Sequence, residues 1–307
     1  MIDFNKQIYN YLEYCRYQKN LNSKTLKAYT IDLEQFAKVE SGENCELNRN
    51  GLSYYITLLH KKYKPKSVKR KIASLKAFCS YLEYEEILED NPFAKMKVKF
   101  QEPFILPKTI PINIIQLLLK ASYQLSTQMK DISQYQYNAT LRDVAVLELL
   151  FATGVRVSEL CSLTVQDVGL AEGTIKIYGK GSKERIVQIE NPAVLAALKN
   201  YKCAFEGKMN EAGYFFVNRL NWRLSEQSVR MMINKYVELA GVSSHITPHM
   251  FRHSFATLLL EEDVDIRYIQ KLLGHSSIVT TQIYTHVASG KQRDILALKH
   301  PRNKIQI

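Results

Sequence analysis

Four of the chain's eight prolines, Pro92, Pro103, Pro107 and Pro111, fall in one short stretch. Proline has no backbone N–H and a fixed φ, so neither a helix interior nor a central strand can run through such a stretch. Lys95, Lys97, Lys99 and Lys108 lie among these prolines, and the segment reads as an extended basic linker. It divides the 307 residues into two portions of ordinary domain size. These are residues 1–98 and 109–307, with the linker over 99–108.

The first portion is helical by pattern. In SKTLKAYTIDLEQF, Leu26, Tyr29, Leu33 and Phe36 recur at helix spacing, and Ser23 is the expected N-cap. In SVKRKIASLKAFCSYL, Val68, Ile72, Leu75, Cys79 and Leu82 share a face, with Ser67 expected as the cap. A bundle of about four helices follows. Its charge is uneven. From Leu47 to Leu82 there is no Asp or Glu, but Lys66, Lys69, Arg70, Lys71 and five further cations stand there. A solvated helix face usually mixes signs, because opposite charges at i,i+4 support the helix. A single-sign stripe suits phosphate contacts instead, which makes Lys66, Lys69, Arg70 and Lys71 candidate DNA-binding residues; a plain solvated face is the alternative.

The second portion mixes elements. RDVAVLELLFATG reads as a buried helix ending at Gly154, and TIKIY…RIVQI, around the turn GKGSKER, as a hairpin with period-2 alternation. PAVLAALKNY, SVRMMINKYVELA, HMFRHSFATLLLEE and IRYIQKLLG add helices. The expected fold class is mainly α with a small antiparallel β-sheet.

The balance of 42 Lys and Arg against 30 Asp and Glu leaves a net charge of +12, which points to a polyanionic partner, most simply nucleic acid. The five cysteines are scattered, with no CxxC, as expected of reduced thiols in a cytoplasmic protein. The polar N-terminus MIDFNKQIYNYLEY is no signal peptide. No apolar run approaches the roughly 20 residues that span a bilayer, so no membrane partner is expected.

Six of the seven histidines lie between His245 and His300. His249 and His253, at i,i+4 in HMFRH, could hold zinc, but Met250 stands where HExxH has its Glu, and Arg252 would set a cation beside the metal. Ordinary capping and core histidines are a second reading: Thr247 and Pro248 suit a helix start, and Phe251, Phe255 and Leu258 a core face. The third reading is a phosphate site. His249 and Arg252 are i,i+3 near a helix N-terminus. Arg156 lies just beyond Gly154, Lys180 lies in the hairpin turn, His275 follows the C-capping Gly274, and Tyr284 comes soon after. Two arginines, a lysine, two imidazoles and a phenol suit one phosphodiester under attack.

TGVRVSEL, GKGSKER, HMFRH, LLGHSS, IYTHV and finally HPRN, in this order, resemble the tyrosine site-specific recombinases of the phage integrase family, most closely the compact bacterial Xer type. SKTLKAYTIDLEQF, SVKRKIASLKAFCSYL and the following NPF resemble that family's helical core-binding module. The resemblance implies an N-terminal helical, SAM-like core DNA-binding domain followed by a mixed α/β catalytic domain. It also implies DNA strand transesterification without metal, ATP or other cofactor. Tyr284 would attack the scissile phosphate and form a 3′-phosphotyrosyl link. His249 would act as general base, Arg156 and Arg252 would clamp the non-bridging oxygens, Lys180 would protonate the leaving 5′ oxygen, His275 would hydrogen-bond the phosphate, and Glu159 would orient a catalytic cation.

Double-stranded DNA with inverted-repeat recombination sites is the implied partner. Two such sites would be bound by a homotetramer, or by a heterotetramer with a related recombinase. Chromosome-dimer resolution in chromosome segregation, mobile-element integration and DNA inversion remain open. Rival readings are a type IB topoisomerase-like relaxing enzyme and a catalytically idle DNA-binding accessory protein. Residues 122–140, polar and Gln-rich, exceed the connection expected in Xer-type relatives. They are expected to form a surface loop or a helix extension able to contact DNA or another protomer.

Overall fold

The computed structural model describes residues 3–43, 46–94, 96, 106–179 and 184–274. The chain divides into two compact units, residues 1–104 and 105–307.

The first unit contains four helices among its described residues: α1 (Phe4–Tyr17), α2 (Ser23–Glu43), α3 (Arg49–Lys62) and α4 (Pro65–Tyr84). Tyr11, Leu33, Phe36, Leu52, Leu75 and Phe78 are central to their shared core. Short polar residues open three of the helices. Asp3 accepts from the Lys6 N–H, Asn22 from the Thr25 N–H and Asn48 from the Gly51 N–H, each satisfying a donor that the first turn leaves unpaired.

Two expected caps are corrected. Asn22 caps α2 one residue ahead of Ser23, which is the first helical residue. Helix α4 starts at Pro65, whose fixed φ and missing N–H suit the first position. Ser67 therefore lies inside the helix.

The basic stripe is also revised. Lys66 and Lys69 are exposed, but Lys71 is 3% exposed. Its ammonium donates to Asp32 Oδ1 at 3.0 Å and to Gln35, and lies 4.7 Å from the centre of the Tyr63 ring. Asp32, itself buried, also accepts from Ser74 Oγ at 3.0 Å and from the Arg70 guanidinium. A buried ammonium already held by a carboxylate cannot reach a phosphate, so Lys71 leaves the expected contact surface, and Arg70 is tied at its charged end.

The second unit continues with α5 (Ile112–Met129), α6 (Gln134–Thr153), α7 (Val157–Ser162), β1 (Val168–Gly169), β2 (Thr174–Tyr178), β3 (Glu184–Gln188), α8 (Pro192–Ala212), α9 (Glu226–Leu239), α10 (Pro248–Glu261) and α11 (Ile266–Leu273). The sheet is antiparallel in the order β1-β2-β3. Ile175 pairs with Val187 and Ile177 with Arg185. Side chains alternate across a strand, so Ile175, Ile177 and Val187 face the core while Ile186 points outward at 66% exposure.

Helix α6 runs through the middle of this core, burying every residue from Asp143 to Leu150. The stretch 122–140 is a helix extension. It supplies the end of α5, a turn over 130–133 and the start of α6. Ser122, Ser126 and Thr140 are buried in it, and the Tyr123 hydroxyl donates to Glu148 at 2.8 Å. No helix of the described residues is long and apolar enough to cross a membrane.

Candidate active site

The site is assembled where three helix ends meet. Helix α6 stops at Gly154, whose φ of +58° suits glycine. A Cβ there would meet Phe255 Cδ1 at 2.7 Å, so packing against α10 demands glycine as strongly as the backbone does. Two residues on, Arg156 occupies the N-cap position of α7. Its backbone N–H donates to Glu159 Oε2 at 2.9 Å, and its guanidinium Nη1 donates to Oε1 at 2.7 Å. The Glu159 carboxylate thus fixes both the main chain and the side chain of Arg156.

A second guanidinium reaches the same carboxylate. Arg185 donates from Nη1 to Oε1 at 3.1 Å and from Nη2 to Oε2 at 2.7 Å, while its Nε donates to the Leu272 carbonyl at 2.9 Å. Burial alone would push the Glu159 carboxyl up. The bonds from Arg185 and from Arg156 outweigh burial and hold the group below the usual carboxylate range.

Arg252 is 4% exposed. It donates to the Gly154 carbonyl at 2.9 Å and to the Leu273 carbonyl at 2.5 Å. These carbonyls end α6 and α11, where the helix dipole favours a cation. One turn earlier on α10, His249 is exposed. Partial desolvation against its neighbours, then the charges of Arg252, Arg156 and Arg230, push its pKa below the ordinary imidazole value, with Glu226 opposing. His249 is therefore neutral near pH 7 and able to accept a proton. His253 is half-buried and pushed down to about 4, chiefly by burial and then by His249 and Arg252.

Beside Arg156 opens a cleft of about 420 Å³, lined by Arg156, Ser158, Glu159, Ser162, Tyr178 and Gly179. It joins the start of α7 to the end of β2. Of the sequence-derived candidates, Arg156, Glu159, His249 and Arg252 are described. Lys180, His275 and Tyr284 lie outside the described residues.

Residues 124–291 match the model described as "Phage integrase family", and residues 8–86 the one described as "Phage integrase, N-terminal SAM-like domain". The chain belongs to the phage integrase family, the tyrosine recombinases. A tyrosine recombinase of Agathobacter rectalis is 55% identical over 303 residues, covering 98% of each chain. Tyrosine recombinase XerC of Bacillus subtilis is 35% identical over 302 residues, covering 95% of each. In fold, the chain is similar to the XerH site-specific recombinase, solved in a post-cleavage complex with a palindromic difH substrate, at a TM-score of 0.74 and 22% identity over 95% of this chain and 84% of that one.

The sequence reading of this recombinase missed Arg185, Arg230 and Glu226. A signal for Arg185 was present: in ERIVQI it shares the strand face of Val187 and Ile189, which are buried. A cation on the core face of a strand needs a buried partner. For Arg230 and Glu226, an ordinary i,i+4 pair at 3.2 Å, the sequence holds no distinguishing signal.

Proposed function

We propose that this recombinase cuts and rejoins duplex DNA through a covalent 3′-phosphotyrosyl intermediate. The observation that carries the reading is the convergence of Arg156, Arg252 and His249 at the ends of α6 and α10, with Arg156 lining an open cleft. Tyr284 is the nucleophile in this reading. A free phenol has a pKa of about 10, so roughly one in a thousand is ionised at neutral pH. A neutral imidazole that takes the phenolic proton offsets much of that, since positioned acid–base help is worth ~10²–10⁴ in rate.

Negative charge grows on the non-bridging oxygens as the phosphorus gains its fifth ligand, and Arg156 and Arg252 supply fixed positive charge there. Arg252 is held on backbone carbonyls, so its contribution is largely a preorganised field. Lys180 delivers the proton to the departing 5′ oxygen, and His275 donates to the phosphate. The phosphotyrosyl link retains the energy of the broken phosphodiester, and a 5′ hydroxyl of the partner strand reverses the attack.

The partner is double-stranded DNA carrying inverted-repeat sites, bound by four protomers on two sites. Net charge of +12 favours the encounter with DNA. Among proteins of similar fold, lambda integrase has been solved as a dimer on a core site and as a tetramer on a Holliday junction.

The test uses a duplex nicked just 3′ of the scissile phosphate, so that the short fragment bearing the new 5′ hydroxyl diffuses away after cleavage. Wild-type protein is expected to give a denaturant-resistant adduct, and Tyr284→Phe to bind equally well with no adduct. An adduct that persists in Tyr284→Phe would move the nucleophile to another residue.

A further inference from the structure

Arg185 belongs to none of the roles above, yet it ties three elements of the site's framework together. From the inner face of β3 it reaches Glu159 on α7 through both Nη atoms and the last turn of α11 through Nε. We infer that Arg185 is a positioning residue: it locks the Glu159 carboxylate, and Glu159 in turn sets the Arg156 guanidinium at the edge of the cleft.

A carboxylate has about four acceptor positions. Glu159 uses four: Oε1 takes Arg156 Nη1 and Arg185 Nη1, and Oε2 takes the Arg156 backbone N–H and Arg185 Nη2. Arg156 holds the group through one guanidinium bond. Arg185 holds it through two, in the bidentate geometry that fixes the carboxylate plane. The two arginines differ in exposure to match. The Arg185 side chain is 10% exposed, and that of Arg156 33%. The buried guanidinium is the anchor and the exposed one faces the cleft.

Packing leaves Arg185 little freedom. Gly274 follows α11 with a φ of +65°, and a Cβ at that position would approach Arg185 Nη1 to 2.9 Å and Cδ to 3.1 Å. Nor does stability account for a cation at this place. Val187 and Ile189 continue the same strand face as buried aliphatics. A well-packed hydrophobic residue commonly serves stability as well as a buried ion pair does, or better. What the guanidinium adds is a fixed orientation of Glu159.

The proposal rests on the strand-cleaving reading and is tested apart from it. Single-turnover cleavage by the full chain, at saturating protein, is compared for wild type, Arg185→Ala, Arg156→Ala and the double variant. Misplacing a catalytic group by about 1 Å can cost ~10²-fold, so Arg185→Ala is expected to cleave about that much more slowly with site binding nearly unchanged. Because Arg185 acts through Arg156, the double variant should be no slower than Arg156→Ala alone, within about twofold.

A substrate with one non-bridging scissile oxygen replaced by methyl gives a second readout. It carries less charge for Arg156 to meet, so the Arg185→Ala defect should shrink on it, whereas a loss from general disruption of the fold would persist. If Arg185→Ala does not fold, Arg185→Lys replaces it. Lysine cannot span both Glu159 oxygens, so a smaller loss with the same pattern is expected. Multiplicative losses in the double variant, or wild-type cleavage by Arg185→Ala beside a slow Arg156→Ala, would overturn the positioning role alone. Wild-type cleavage by Arg156→Ala would instead sink the clamp reading beneath it.

Discussion

Asp32 in the helical unit and Glu159 in the second are both buried carboxylates held by two cations, and the two arrangements do different things. In the helical unit, Asp32 on α2 takes Lys71, Arg70 and Ser74, all on α4. In the second unit, Glu159 takes Arg156, three residues before it, and Arg185 from the hairpin. Lys71 ends at 3% exposure, sealed under Tyr63 and Gln35, whereas Arg156 keeps a third of its side chain open beside a 420 Å³ cleft. The same chemistry spends its charge internally in the first case, tying two helices together. In the second it consumes one cation to present another. Charge count alone does not separate these roles, and exposure does not either, since the Arg70 side chain beside Asp32 is 47% exposed and that of Arg156 33%; the cleft that Arg156 lines does.

Removing the carboxylate should break the likeness most forcefully in the helical unit. Asp32→Ala leaves the Lys71 ammonium buried with its carboxylate partner gone, which typically costs about 3–5 kcal/mol. Thermal unfolding of the full chain is expected to begin well below wild type, while cleavage by the fraction folded and bound to DNA stays near the wild-type rate. Unchanged melting would mean that Asp32 and Lys71 do not form the pair described.

In the other unit the effect should fall on rate. Arg156→Ala removes the exposed member and leaves Glu159 paired with Arg185, so stability should change little. Loss of one preorganised donor to transition-state charge costs about 10²–10³ in rate. Single-turnover cleavage should drop by that factor with site binding nearly intact. A large fall in melting temperature without a specific loss of cleavage would place Arg156 with Lys71, as a structural cation.

Much of this contrast was invisible in the sequence. Helix and hairpin identities were legible because apolar spacing reports burial directly: the faces of α2 and α4 and the period of β2 and β3 follow the sequence pattern. TGVRVSEL and HMFRH pointed to Arg156, Glu159, His249 and Arg252, which the fold brings to neighbouring helix ends, while His275 of LLGHSS lies outside the described residues. Asp32 was missed because it lies 38 to 42 residues from its partners, outside the acid-free window that made the stripe look uncompensated. Arg185 was missed because Ile186 beside it disguised which face of β3 turns inward. Cap positions slipped by one residue at Ser23 and by three at Ser67, where Asn22 and Pro65 suited the helix start better. Pairings across elements depend on register and packing, which local spacing does not encode.

A smaller effect separates surface cations from buried ones within the first unit. Each lysine–phosphate contact releases counterions and adds about −0.9 to the slope of log K against log salt. Replacing exposed Lys66 and Lys69 with Ala should therefore flatten the slope for site DNA by up to roughly two units. Lys71→Met fills the same buried space without charge and should leave the slope as it was. Equal flattening by both changes would return Lys71 to the DNA-contacting surface.

The smallest effect concerns acid, and it tests whether the second unit's cations act on chemistry. His249 must be neutral to accept the tyrosine proton, and its pKa is lowered by partial desolvation and by Arg252, Arg156 and Arg230. The cleavage rate should accordingly stay level as pH falls through the ordinary imidazole value of about 6.5 and decline only below it. His253, itself pushed down to about 4, remains neutral over that range and adds no charge beside His249. It does weaken the fold in acid: the unfolded chain takes up this proton near 6.5 and the folded chain only near 4, so stability is lost between those values as pH falls. Cleavage is therefore read only where melting shows the protein folded. Arg230 and Glu226 pull His249 in opposite directions and lie on α9. Arg230→Ala should move the acid limb of the pH–rate profile upward, toward the ordinary imidazole range, and Glu226→Gln should move it downward. Each shift should be a fraction of a unit, because both groups are partly exposed and water screens them. Opposite displacements of one limb by two neighbouring substitutions are hard to produce by disturbing the fold, which would lower the rate at every pH. If both substitutions leave the limb in place, the group that titrates in the cleavage step is not His249, and the general base must be sought elsewhere.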